Sequence, residues 1–140
     1  LLIVGAGGGF KQTLVDSGIA DIIAAWIEQA AVPALLAGWL VAVAVRLATG
    51  SATVATITAA GIMKPLAADM PPTGVALLVL AIGAGSVFLS HVNDAGFWLV
   101  KEYFGMSVGQ TFKTWSLMET ILSVTAMIVI ALVALPLGVL

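Results

Sequence analysis

The sequence predicts an all-α, polytopic membrane protein with a re-entrant helical hairpin and a broken transmembrane helix. Three observations lead there. The 140 residues are 61% apolar and only 9% charged, with a mean hydropathy of +1.19. Two apolar arms, residues 33–49 and 54–68, are joined by the small, hydroxyl-rich Gly50-Ser51-Ala52-Thr53. A second polar stretch, "SHVNDAG" at 90–96, cuts into another apolar run.

Composition sets the solvent. A soluble domain carries about 25% charged residues. Five basic residues, seven acidic residues and one His cannot cover a chain of this length with polar surface, so its natural solvent is lipid. A net charge of −2 offers no basic footprint for nucleic acid. There is no Cys, which excludes disulfide and thiolate chemistry and leaves the redox compartment unread. The chain opens Leu-Leu-Ile-Val, without Met or a charged leader region. It reads as a piece of a longer protein whose N-terminal half is elsewhere, not as a signal peptide.

Along the chain, residues 1–9 resemble the end of a scaffold helix closed by Gly5-Ala6-Gly7-Gly8-Gly9. In 10–31, Ile19, Ile22, Ile23, Trp26 and Ile27 fall on one helical face, with Asp21 and Glu28 opposite. That stripe suits an interfacial arm, and equally a surface helix covering its neighbours. Asp16-Ser17-Gly18 divides it. The arms 33–49 and 54–68 hold 15–17 residues each, roughly 24 Å of helix. A bilayer core of about 30 Å wants ~20 residues. Both arms are short, which suits a hairpin (33–68) that turns inside the membrane. Two ordinary short spans joined by a surface turn fit the same hydropathy.

"ADMPPT" at 68–73 is a surface loop that ends one helix and launches the next. Residues 74–90 form a membrane helix, with Gly83 and Gly85 allowing close packing. The polar break at 90–96 then splits one helix, 74–104, into halves. A polar loop is expected over 101–114, and 117–140 is the plainest span, with Glu119 its one acid. Lys101 and Lys113 put their loop on the cytoplasmic side by the positive-inside rule, with the last helix ending outside.

Interrupting a membrane helix exposes backbone that lipid cannot satisfy, so breaks survive where they are buried or line a wet cavity. Transporters build midplane sites this way. Each half-helix start carries unpaired N–H groups and about half a positive charge. Ser51 or Thr53 can cap the helix after the hairpin tip, and Asn93 or Asp94 the one near Ala95. Two such ends aimed at one spot make an anion site. Arg46 adds a full charge, with a structural ion pair or snorkelling as its plainer role. The expected substrate site is Arg46, Gly50, Ser51, Ala52, Thr53, Ser90 and Asn93, suited to a small hydroxyl-bearing carboxylate. Asp94 and His91 are the candidates for a coupling proton, against plainer roles as N-cap and packing residue. No cofactor beyond that proton is expected. Ser90, His91 and Asp94 sit too close in sequence for a nucleophile triad, one His with scattered acids gives no metal spacing, and "GAGGGF" lacks the context of a phosphate loop.

In order along the chain, "GAGGGFKQTLVDSGIA", "RLATGSATVATITAAGI" and "LSHVNDAGFWLVKEYFGMSVGQTFKTW" with the following "ET" resemble the gluconate permease family. The resemblance implies the C-terminal part of a bacterial inner-membrane, multi-pass symporter that imports gluconate or a related sugar acid with protons. Some members take D-serine or other small hydroxy acids. It further implies half of an inverted-repeat fold like that of the ion-transporter superfamily, a homodimer in the full-length protein, and a substrate site lined by Gly50–Thr53 and Ser90–Asp94. The competing classes are a non-transporting scaffold or assembly module and a membrane-embedded enzyme using His91 and Asp94.

Overall fold

A computed structural model describes residues 32–139 and, ahead of them, residues 9, 12, 13, 16–18, 22 and 25. The expected scaffold-helix end at 1–9 and arm at 10–31 lie outside the described residues, apart from those scattered positions. Among the described residues the secondary structure is entirely helical.

Helix α1 (Ala34–Thr49) begins after Pro33 and stops at Gly50, whose φ of 67° places it in the left-handed region. Its N–H returns to the Arg46 carbonyl at 2.8 Å. Helix α2 (Ala52–Ala67) starts one residue later, capped by Ser51, whose hydroxyl accepts from the Val54 N–H. Two residues thus reverse the chain, and α1 packs along α2 as a helical hairpin. Pro72 opens α3 (Pro72–Ser86) at a position where its missing N–H goes unused.

The expected helix 74–90 ends four residues early, at Ser86. The Ser86 hydroxyl donates back to the Gly83 carbonyl at 2.7 Å, and Leu89 adopts a φ of 42°, which no helix continues through. Apolar letters at 87–89 conceal this in the sequence. The irregular segment therefore runs over 87–94, and α4 (Ala95–Tyr103) follows it, capped by Asp94.

The loop expected over 101–114 is also shorter. After α4 the chain turns at Gly105, with φ 62°. Ser107 and Gln110 then form a reciprocal capping box that starts α5 (Val108–Thr111). Through a π-helical turn, Phe112–Ser116, α5 runs on into α6 (Leu117–Leu137). Val108–Leu137 is one 30-residue helix, long and apolar enough to cross a membrane.

Helix α3 is central, packed against α1, α2 and α6. Leu35, Met63, Leu78, Ile82, Met127 and Ile130 fill the core, and small residues let the backbones approach. At Gly85 an added Cβ would stand 2.5 Å from the Trp39 carbonyl oxygen, and at Gly38 2.5 Å from Leu78. Gly83, expected to serve close packing, faces open space among the described residues. On α6 only the stripe Ser123, Met127, Ile130 and Ala134 is buried, and the other apolar faces are open to lipid or further protein.

Gly85→Ala forces a rigid backbone contact apart and should cost about 1–3 kcal/mol. Gly83→Ala should be tolerated. Thermal unfolding of the detergent-solubilised intact protein, followed by size-exclusion chromatography, separates the two.

Candidate functional site

The hairpin tip and the irregular segment meet. Gly50 lies against the backbone of Asn93, where an added Cβ would come within 2.3 Å of the Asn93 carbonyl oxygen. The position therefore needs Gly twice over, for its φ and for its neighbour. The open carbonyls of both segments find side-chain partners. The Leu47 carbonyl, exposed by the end of α1, accepts from the Asn93 side-chain amide at 3.0 Å and lies 3.2 Å from the His91 ring. The Ser90 carbonyl accepts from the Ser116 hydroxyl, and the Val92 carbonyl from the Trp98 indole at 2.8 Å.

Arg46 ties the parts together. Its side chain is 4% exposed. One terminal nitrogen donates to the Gly50 carbonyl at 2.6 Å, the other to Asp94 Oδ2 at 2.5 Å. Glu119 Oε2, from α6, stands 3.5 Å from the same nitrogen. Asp94 is fully engaged: Oδ2 also accepts from the Ser90 hydroxyl, and Oδ1 from the Gly96 N–H at 2.8 Å. One cation and two acids leave the cluster one negative charge in excess when all are ionised. Three polar atoms beside it are buried without a hydrogen-bond partner: Arg46 Nε, Glu119 Oε2 and Trp115 Nε1.

These residues wall a cavity of about 560 Å³, within the range of small-molecule sites. Arg46, Gly50, Ser51, Ala52, Thr53, Asn93 and Asp94 line it, as do Thr49, Trp115 and Glu119. The first turns of α2 and α4 both open onto it, and the leading amides of such turns have no acceptor within their own helix. Ser51 and Asp94 are the caps, each chosen from a pair that the sequence left open. Ser90 and His91 stand off the cavity wall. Ser90 is fully buried behind Asp94, and His91 faces the end of α1.

Sequence reasoning passed over Glu119 and Trp115. A signal existed for the first: Glu119 is the single charge in a mostly apolar 24-residue run, and such a charge marks a functional position by default. Trp115 gave none; it lines the cavity from within the π-helical turn. Among the described residues no group of His and acidic side chains could hold a metal ion.

Arg46→Met leaves two mostly buried carboxylates facing each other and should lower stability by about 3–5 kcal/mol. Adding Asp94→Asn should recover part of that loss. Gly50→Ala should also destabilise, through both the left-handed φ and the Asn93 contact. Detergent melting midpoints of the intact protein check all three.

The chain is similar to known proteins along nearly its whole length. The GntP family permease model matches residues 1–136. A gluconate permease of Pseudomonas aeruginosa is 59% identical over 135 residues, covering 96% of this chain and 30% of the relative. A high-affinity gluconate transporter of Escherichia coli K12 is 53% identical, covering 91% and 29%. The Gnt-II system L-idonate transporter of the same organism is 48% identical, again covering 91% and 29%. The chain thus spans about 30% of the length of these curated relatives, which are permeases and transporters, not enzymes. No solved structure matches it. A match over almost the whole chain, on a bundle of apolar helices, makes this a membrane protein that belongs to the GntP permease family.

Proposed function

We propose that the chain forms the substrate-binding part of a proton-coupled importer of gluconate or a related small hydroxy acid in the bacterial inner membrane. One observation carries this: two helix N-termini and a buried guanidinium converge on one cavity. A carboxylate suits that convergence, because amide dipoles and Arg46 both favour an anion. Relatives named for gluconate and L-idonate support a polyhydroxy acid as the guest. Their names also favour transport over a scaffold module.

On this reading α1 and α2 are a re-entrant hairpin whose tip, Gly50–Thr53, lies at mid-bilayer depth beside the break. Arms of 16 residues, roughly 24 Å each, are too short to span comfortably. The chain would be half of an inverted-repeat plan, in a protein that works as a homodimer. Proton coupling follows from charge. A cluster with one negative charge in excess repels an anion, and taking up one proton removes that repulsion, so the two ligands bind cooperatively.

Uptake of labelled gluconate by the intact protein in vesicles should require an inward proton gradient. Ser51→Leu and Asn93→Leu should each reduce that uptake at least tenfold at unchanged expression, since each puts an apolar side chain at the mouth of a helix end. Uptake that survives both substitutions would remove the site from this cavity.

A further inference from the structure

We infer that Glu119 is the group that carries the coupling proton, and that protonating it releases Arg46 to the substrate carboxylate. The inference rests on the transport reading above and goes beyond it by naming the residue. Asp94 cannot take a proton cheaply. Both its oxygens are committed, to Arg46, to the Ser90 hydroxyl and to the Gly96 amide that starts α4. Protonation there would loosen the cap and the joint between hairpin and break together. His91 stands off the cavity wall, against the Leu47 carbonyl.

Glu119 differs on each count. It lines the cavity, its Oε2 accepts no hydrogen bond, and its contact with Arg46 is 3.5 Å against 2.5 Å for Asp94. Among the described residues the groups that face it are few. Arg46 is the only charge on α1, His91 and Asp94 are the ionisable groups of the break, and α3 carries no charge at all. Lys64 sits in the last turn of α2, away from the hairpin tip, and Lys101 and Glu102 in the last turn of α4, away from its cavity end. Lys113 is exposed on the π-helical turn.

The exchange then balances. A proton enters from cavity water onto Glu119 Oε2, and the Arg46–Asp94 pair that remains is neutral. A monovalent carboxylate binds beside Arg46, whose Nε is buried and has no acceptor. The loaded cluster again has one excess negative charge, as in the empty ionised state. One proton therefore accompanies one anion, and the cycle moves no net charge.

The test uses the intact protein in proteoliposomes with labelled gluconate. Glu119→Gln should retain gluconate counterflow, lose accumulation driven by a proton gradient, and flatten the pH profile of counterflow affinity, which in the native protein should weaken as pH rises. Accumulation by Glu119→Gln at the native level overturns the inference, and so does loss of counterflow in a folded variant. Should Glu119→Gln fail to fold, the native protein decides: one proton taken up per gluconate without charge movement supports the inference, and any other ratio overturns it. A native protein that shows no counterflow with gluconate or L-idonate defeats the transport reading itself, which separates that failure from this one.

Discussion

Everything in this structure depends on how two broken helices dispose of their open backbone. The end of α1 and the segment 87–94 both present carbonyls and amides that apolar surroundings cannot serve. The break serves the hairpin, and the break's own carbonyls are served by Ser116 and Trp98. Asn93 caps the Leu47 carbonyl, Arg46 caps the Gly50 carbonyl, and Gly50 lets the two chains touch. Neither interruption is self-sufficient. A hairpin tip without the break would leave Leu47 bare, and a break without the tip would leave Asp94 without its cation. The cavity is what remains between two surfaces brought together for this reason, and the helix starts facing it come with the same geometry.

The long C-terminal helix takes part in that settlement through hydroxyls. Ser116 donates to the Ser90 carbonyl inside the break, and Ser123 to the Ala84 carbonyl at 2.6 Å while accepting from the Trp39 indole at 3.1 Å. Both serines are buried. The π-helical turn at Phe112–Ser116 shifts the register of the helix just ahead of Glu119, at a place where such turns recur near functional groups. A helix that would pass for a plain span by hydropathy therefore contributes a carboxylate and an indole to the cavity wall, one hydroxyl to the break, and one to the packing of α1 and α3.

Much of the site was legible in the sequence, because polar letters inside apolar runs are expensive and so informative. Arg46, Gly50, Ser51, Asn93 and Asp94 stood out on that ground alone, and the caps followed from residue type. Pairing was not legible. Nothing in the chain says that Arg46 meets Asp94, 48 positions away, and not a substrate. Ser90 illustrates the same blindness: its hydroxyl looked available for a ligand, yet it is buried and donates to Asp94. The end of α3 was misplaced by four residues because Val87, Phe88 and Leu89 have helix-compatible letters and a backbone that is not helical. The capping box at Ser107 was readable as S-x-x-Q and was masked by the glycines around it.

On the transport reading proposed above, the charge cluster would recognise only one end of a sugar acid. A carboxylate beside Arg46 and the two helix starts would be indifferent to the hydroxylated tail, so discrimination among such acids must come from the rest of the wall. Here the unmet donors matter. Trp115 Nε1 is buried at the cavity without an acceptor, a condition that is rare in folded chains and costs about 1–3 kcal/mol while it lasts. An acceptor oxygen on the guest would relieve it, and a guest lacking one would not. Thr53, exposed and lining the same cavity, is a second group that can both donate and accept. On that same proposal, selectivity for a hydroxylated carboxylate over a plain one of the same length would come from the penalty of leaving the indole unpaired, since a site that hydrogen-bonds its guest rejects the analogue that cannot satisfy it more strongly than an apolar one rejects an extra group.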